Sequence, residues 1–286
     1  MSRKLKTMLG MAVGAAISIP LWFLLAVPEL EKMPADYQRQ WEFVGEARLL
    51  DPGDGVLGDP FPFKDTSNRK VLLPKEEVVI IQINMVARNL STGEILWETH
   101  ERMAVDRYTR MHVSGLGNAD RQGHFTFPLH LEKRNYEFWY PGLLDSLLVI
   151  FEREETLKGL NLYVFTFSIK EIPSSDLYPQ YKPRLLAGDK WGTFWVEPVS
   201  GYVVGYDLSS EVYFVEDGQK GLNVEVRHKS FTKETHENQI RAARDKKLLI
   251  RLYEVWIPLF LVISALVLFA AVAKVKHSPK TKENRG

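Results

Sequence analysis

Two long apolar stretches bracket this chain, and residues 28–255 between them mix polar and apolar positions. The first stretch covers residues 7–27, the second covers residues 256–273, and neither contains a charged residue. About 20 apolar residues of helix cross a hydrocarbon core about 30 Å thick. Only helices and closed barrels satisfy their own backbone hydrogen bonds there. The pattern therefore predicts two membrane-spanning helices and one large displayed domain.

The first stretch also resembles a secretory signal peptide, because Arg3, Lys4 and Lys6 form a basic region ahead of it. The apolar part of a signal peptide usually has about 7 to 15 residues, and this stretch is longer. Leu24 and Ala26 make a poor cleavage site, so we expect a retained anchor. A buried core helix is the alternative for the second stretch. It is disfavoured because the stretch is apolar all round and a basic tail follows it.

Basic residues set the predicted orientation. Three of them precede the first span, and five lie in residues 274–286. The 15 residues ahead of the second span also hold five basic residues, so the second span alone does not predict an orientation. The first span and the tail together predict cytoplasmic termini in the cell membrane and an extracytoplasmic domain. The predicted segments are a cytoplasmic N-terminus (1–6), the first span (7–27), a β-rich extracytoplasmic domain (28–232), a juxtamembrane helical stalk (233–255), the second span (256–273) and a basic cytoplasmic tail (274–286).

The middle of the chain shows the short apolar runs and turn signals of strands. Residues 78–87 and 95–97 flank the turn at 89–93 and predict a hairpin. Three further hairpins are predicted in the same way: 149–153 with 160–168, 194–196 with 202–204, and 212–215 with 222–226. Consecutive hairpins favour an antiparallel sheet. The predicted fold class is α+β, a mainly antiparallel, curved sheet with one N-terminal and one long C-terminal transmembrane helix.

Beyond Thr232 the spacing of apolar residues becomes helical. Ile240, Ala243, Leu248 and Leu252 recur at the intervals of an α-helix. No proline or glycine interrupts residues 231–257. A helix from about residue 233 through the second span would be about 60 Å long. Its charged first part could pack on the domain, carry the domain above the membrane, or lie on anionic headgroups.

The composition and the motifs exclude several kinds of functional site. The chain contains no cysteine, which excludes disulfides, zinc–thiolate sites and cysteine nucleophiles. Its net charge of +1 gives no reason to expect a nucleic acid partner. The histidines lack metal-ligand spacing, and the chain has neither Gly-x-Ser-x-Gly nor a phosphate-binding loop. We therefore predict a non-enzymatic protein with no catalytic residue, no cofactor and no metal. At Asp51, Asp54 and Asp59 a surface turn is favoured over a calcium site.

Several segments in a fixed order resemble one family. Residues 30–36 (LEKMPAD) and 50–53 (LDPG) follow the first span. The later segments are VDRYT at 105–109, EKRNYEFW at 132–139, GLNLYVF at 159–165 and WVEPVSG at 195–201. Together they are similar to the porin PorA family, a largely actinobacterial group of membrane proteins. The resemblance covers nearly the whole chain, and it departs from the family at the short loop 115–123 and at Tyr140.

The resemblance implies architecture more than activity. A porin would be a channel, but a water-filled barrel has strands with an apolar outward face and no need of terminal helices. Neither apolar stretch carries an ionisable residue that would mark an ion path. A pore formed by an oligomer is therefore kept as the second alternative function.

A dense run of aromatic residues suggests another use. The hairpin at 194–204 is similar to the edge of envelope lipoprotein carriers, whose curved sheet wraps an apolar cavity. Aromatic walls could hold a lipid chain, although the same residues could fill an ordinary core. The candidate cavity residues are Phe125, Phe127, Tyr136, Phe138, Trp139, Phe165 and Trp195.

Gly10, Gly14 and Ser18 form a stripe of small residues in the first span, and such a stripe lets another helix approach closely. We expect it to pack against the second span or a second copy. The expected partners are the lipid bilayer, further copies of the chain or other envelope proteins, and a lipid ligand. The predicted function is binding or scaffolding in the cell envelope, with lipid handling as the first alternative.

Overall fold

A computed structural model describes residues 3–51, 53–118, 120–140 and 146–277 of the chain. These residues form two compact units, divided between Lys32 and Met33 and between Lys246 and Lys247. The first unit contains the two ends of the chain. The second contains all the strands.

Both ends of the described chain are helical, and the division after Lys246 falls inside the C-terminal helix. α1 (Arg3–Leu21) continues through a π-helical turn (Trp22–Ala26) into α2 (Val27–Glu31). At the other end, α3 (Lys233–Arg251) continues through a second π-helical turn (Leu252–Trp256) into α4 (Ile257–His277). Both ends contain a helix that is long and apolar enough to cross a membrane. The two predicted apolar helices are therefore present.

Each π-helical turn is followed, two residues later, by a proline, Pro28 or Pro258. A proline has no N–H and its ring crowds the preceding turn, which favours a local change of helical pitch. α1 and α4 pack against each other. At the level of the two turns, the indole N–H of Trp22 donates to the carbonyl of Tyr253 at 2.7 Å.

The stripe of small residues does not form the contact between α1 and α4. A Cβ atom added at Gly10 or Gly14 would meet no other heavy atom within 4 Å. Ser18 donates its hydroxyl to the Ala15 carbonyl of its own helix at 2.8 Å, whereas Ala12 is fully buried. Of the two expected partners, a second copy of the chain remains the prediction.

The second unit is built on a single sheet whose neighbouring strands all run antiparallel. The spatial order is β5-β4-β3-β2-β1-β11-β10-β9-β8-β7-β6, with β5 and β6 at two open edges. The strands are β1 (Gln38–Leu49), β2 (Phe61–Pro74), β3 (Val78–Asn89), β4 (Ile95–Asp106), β5 (His112–Gly117), β6 (Tyr136–Phe138), β7 (Leu147–Leu157), β8 (Leu160–Pro173), β9 (Leu186–Glu197), β10 (Tyr202–Glu216) and β11 (Gln219–Phe231).

The predicted antiparallel sheet is confirmed, and the four predicted hairpins correspond to β3–β4, β7–β8, β9–β10 and β10–β11. The prediction is wrong in one respect. It divides residues 202–204 and 212–215 between two strands, but both runs belong to β10. The polar residues between them remain extended because β9 and β11 supply hydrogen-bond partners on both sides. Strands β1, β2, β5 and β6 were not anticipated.

Alternate side chains of each strand point to the inner face of the sheet. On β3, Val79, Ile81, Ile83, Met85 and Ala87 are buried, and the residues between them are half-buried. A large aromatic cluster fills one part of this inner face, with Phe127 stacked on Phe138 at a centroid distance of 4.7 Å. Apolar burial of this kind is the main stabilising contribution to the fold.

The two open edges are connected by residues 123–125. On the β5 side, the Phe125 N–H donates to the Arg110 carbonyl at 2.8 Å. On the β6 side, the Trp139 N–H donates to the His124 carbonyl at 2.9 Å. One short segment therefore bonds to the backbone next to both edges, which curls the sheet around its inner face.

The first part of the C-terminal helix packs on the sheet. Ile240 and Ala243 of α3 are buried against Leu160, Leu162 and Val204. Of the three uses considered for the charged stalk, the structure shows packing for this part of it. The helix begins after Thr232, whose Oγ1 accepts a hydrogen bond from the Thr235 N–H at 3.1 Å and so caps the first turn.

A substitution at Gly45 of β1 tests whether β1 and β11 need to approach as closely as the structure shows. A Cβ atom at this position would lie 1.9 Å from the His228 carbonyl oxygen. We expect Gly45→Ala to force the strands apart and to lower the free energy of unfolding by about 2 kcal/mol or more. Gly58→Ala is the control, because its Cβ atom would lie 3.4 Å from the Leu49 carbonyl oxygen. Thermal unfolding of the solubilised chain measures both, and equal melting temperatures would contradict the tight packing.

Candidate functional site

The inner face of the sheet encloses a cavity of about 340 Å³, here called the sheet cavity. Strands from both arms of the sheet contribute to it, including β2 and β4 on one side and β9, β10 and β11 on the other. Two of its lining residues, Leu177 and Glu98, are exposed. Its aromatic walls are Trp41, Phe43, Trp97, Phe138, Trp139, Tyr140, Tyr178, Phe194 and Tyr206.

A second cavity of about 340 Å³ adjoins the first. Leu96, Leu177, Tyr178, Glu225 and Arg227 contribute to both. The segment that carries Leu177 and Tyr178 consists of two short 3₁₀ turns (Ser175–Leu177 and Pro179–Tyr181) between β8 and β9. The two cavities together form a groove with one shared wall of apolar and charged side chains.

The seven predicted cavity residues are distributed among four places. Phe138 and Trp139 line the sheet cavity. Phe125 packs in the cluster around Trp139, and Phe127, Tyr136 and Phe165 lie in the large aromatic cluster. Trp195 packs with Leu160 and Leu162, and its indole N–H donates to Glu155 at 2.8 Å.

Charged side chains line the sheet cavity together with the aromatic rings. Lys229 and Asp65 are both buried and form an ion pair. Arg227 and Glu225 form another at 2.6 Å, and Glu225 also accepts the Tyr178 hydroxyl at 2.9 Å. Charges are costly to bury unless they are paired and hydrogen-bonded, so these two pairs account for four of the buried charges.

Two further cations have no carboxylate partner among the residues that the structure describes. Lys190 of β9 lies with its ammonium 5.0 Å from the centre of the Tyr140 ring. Arg69 of β2 lies with its guanidinium 3.9 Å from the centre of the Trp41 ring. Both line the sheet cavity. Its interior therefore carries more positive than negative charge.

Burial shifts the pKa values of several groups in the sheet cavity, and neighbouring cations add to the shift at Lys190. Burial lowers the pKa of Lys190 to about 8, and repulsion by Arg227 and Lys229 acts in the same direction. Burial also lowers the pKa of Lys229, against the opposing effect of Asp65. The pKa of the Tyr140 hydroxyl is raised to about 12 by burial. Desolvation disfavours the charged form in all three cases.

The strand register aligns three polar residues on the inner face. Ser210 of β10 lies opposite Arg227 of β11 and opposite Lys190 of β9. All three side chains line the sheet cavity. Within the described part of the chain, the Nε atom of Arg227 is buried without a hydrogen-bond partner. We call this set the Lys190–Ser210–Arg227 row.

The charged residues of the sheet cavity were missed in the sequence, although a signal was present. On β11, Glu225, Arg227 and Lys229 alternate in phase with the buried Phe231. Residues separated by two positions share one face of a strand. Charges in phase with buried aromatics therefore indicate a polar patch on the inner face.

Other candidate arrangements are less enclosed. In the acidic loop, Asp51 accepts the Gly53 N–H at 2.7 Å and Asp54 accepts the Val56 N–H at 3.0 Å. These are turn-forming contacts of exposed side chains. On the outer face, His228 and Asp207 approach to 2.9 Å, and both are more than 40% exposed. Neither arrangement lines either of the two cavities.

Comparison with known proteins identifies the family. The family model described as Porin PorA matches residues 7–273. The chain belongs to the porin PorA family. Among curated proteins no sequence matches it. Among solved structures, the 12:0-ACP thioesterase from Umbellularia californica is similar over 73% of this chain and 76% of its own, at 10% identity and a TM-score of 0.18.

The match confirms the resemblance seen in the ordered segments of the sequence. This porin PorA family chain combines two apolar terminal helices with an antiparallel sheet. Family membership and the helices fit a membrane protein. The similarity to the thioesterase is too low to support an argument about fold or chemistry.

Lys190 gives a test of the charge excess. Its folded pKa of about 8 lies below the ordinary lysine value of about 10.4. Between these values the unfolded chain binds more protons, so this residue makes wild-type stability rise with pH. We expect Lys190→Met to stabilise the delipidated protein at pH 7 and its advantage to shrink between pH 8 and 10.

Thermal unfolding at stepped pH measures this difference. The nearby groups that act on Lys190, namely Arg227, Lys229, Glu225 and Tyr140, are the same in both proteins. Lys170→Met, at an exposed position of β8, is the matched control and should show no pH-dependent advantage. A Lys190→Met variant that is less stable than wild type at pH 7 would contradict the charge excess.

Proposed function

We propose that this protein is a membrane-anchored binding protein that holds an amphiphilic ligand in the sheet cavity. The proposal places the sheet on the extracytoplasmic side, as the basic residues before the first span and in the tail favour. In this proposal the protein retains or presents the ligand without making or breaking a covalent bond.

The observation that carries this proposal is the sheet cavity itself. Small-molecule sites are concave, mostly apolar and about 300 to 1,000 Å³ in volume, with a few polar groups that fix orientation. The sheet cavity has about 340 Å³, aromatic walls and a charged row at one side. Apolar walls suit a hydrocarbon chain, and buried charges suit a polar headgroup, so an amphiphile matches both parts.

The inner face supports binding better than conduction. Water-filled barrels have polar interiors and an apolar outer band. Here the inner face is occupied by aromatic and aliphatic clusters, and the sheet has two open edges. Scaffolding alone would not require a charged cavity inside the sheet. Desolvated charges reduce the free energy of unfolding, and proteins accept that cost at functional sites.

A pair of neighbouring serines on β10 provides a matched test. Ser210 is buried and lines the sheet cavity, whereas Ser209 lies on the opposite face, between Trp191 and His228. We expect Ser210→Phe to fill the cavity and to reduce co-purifying amphiphile at least about tenfold, the loss expected for about 1.4 kcal/mol of affinity. Ser209→Phe should retain the wild-type amount.

The measurement is native mass spectrometry of the gently solubilised full chain, with extraction and quantification of bound lipid. The same preparations are melted to show that both variants are folded. Equal retention by the two phenylalanine variants would contradict the proposal. So would a wild-type protein that retains no amphiphile and binds none of those added, and conductance in planar bilayers would then favour a pore.

A further inference from the structure

The charge of the sheet cavity specifies the ligand more narrowly. Four of its wall residues are cations, Arg69, Lys190, Arg227 and Lys229, and three are carboxylates, Asp65, Glu98 and Glu225. Glu98 is exposed, so the buried and half-buried part of the wall holds four cations against two carboxylates.

The two interior carboxylates are already engaged. Asp65 pairs with Lys229, and Glu225 bonds to both Arg227 and Tyr178. Lys190 forms no ion pair with any residue that the structure describes, and its ammonium lies 5.0 Å from the centre of the Tyr140 ring. A partly buried ammonium beside two other cations is unfavourable without a counter-charge.

The Lys190–Ser210–Arg227 row has the geometry to supply that counter-charge from a ligand. Adjacent strands lie about 4.8 Å apart, so the backbones of Lys190 and Arg227 are separated by about 10 Å. Ser210 between them is small and leaves room above the sheet, and its hydroxyl can donate a hydrogen bond. The Arg227 Nε–H, buried and without a partner among the described residues, is a second donor.

We propose that this row binds the acidic group of the amphiphile, a carboxylate or a phosphate, above Ser210 and between Lys190 and Arg227. The inference rests on the proposed function and adds the chemical class of the headgroup. The hydrocarbon part then lies along the aromatic walls, beyond Leu208 and Val212, which flank Ser210 on the same face of β10. Charge-assisted hydrogen bonds from lysine and arginine are the strong contacts that such oxygens prefer.

Competition between ligands with the same chain tests the headgroup. The delipidated full chain is incubated with equal amounts of tetradecanoate and tetradecanol, and bound ligand is quantified after gel filtration. We expect wild type to retain the acid over the alcohol at least about tenfold, as expected for hydrogen bonds to charged groups. Tetradecyl phosphate replaces the acid in a parallel experiment and reports whether phosphate is also preferred.

Three variants separate charge recognition from folding. Lys190→Met should lower the acid-to-alcohol ratio towards one while alcohol retention stays at the wild-type level, because Arg227 is already paired with Glu225 and Lys190 supplies the uncompensated charge of the row. Lys190→Arg should preserve the ratio, since it keeps the charge. Lys170→Met, exposed on β8, should behave as wild type. Melting of each variant confirms that it is folded.

The outcomes distinguish this inference from the proposed function. A wild-type ratio near one for both the acid and the phosphate, with retention that Ser210→Phe abolishes, would overturn acid recognition and leave amphiphile binding in place. An unchanged ratio in Lys190→Met would overturn the role of Lys190. Retention of no ligand by wild type would overturn both proposals.

Discussion

The register of β9, β10 and β11 is the constraint on which the site depends. It places Lys190, Ser210 and Arg227 on one face of three neighbouring strands. A slip of one residue would turn every side chain of a strand to the other face, so register must be strongly specified. The β10–β11 turn starts the pairing with Asp217 and Gly218, both at positive φ, the conformation that two-residue hairpin turns require. Two register shifts between Val212 and Val215 then set the pairing of Ser210 with Arg227.

The inner face combines two requirements that oppose each other. Aromatic packing excludes water, which stabilises the sheet but raises the cost of every charge placed there. The pairs Lys229–Asp65 and Arg227–Glu225 reduce this cost, and Lys190 is left without such a pair. Buried charge of this kind is weak evidence of stabilisation. An anionic ligand would complete the pairing, so ligand binding and stability are coupled through the same residues.

The sequence was informative where the apolar pattern was strong, and it was least informative at the site. The apolar helices at 7–27 and 256–273 and the hairpin of β3 and β4 follow from uninterrupted apolar or alternating runs. β2 was missed because residues 64–70 form a polar run that reads as a loop, and β10 was divided in two for the same reason. Inner-face residues of both segments, Asp65 and Ser210 among them, line the sheet cavity. The polar character that obscured these strands is the character that the site requires.

A bound ligand labelled at its acidic group reports on the central claim most directly. In a carbon-13 NMR titration of carboxyl-labelled tetradecanoate on the full chain, cations around the headgroup favour its ionised form. The signal of the bound ligand is expected to remain that of the carboxylate below the ordinary carboxyl pKa of about 4. A bound signal that titrates at or above that pKa in wild type and in Lys190→Met alike would contradict a cationic headgroup site in the sheet cavity.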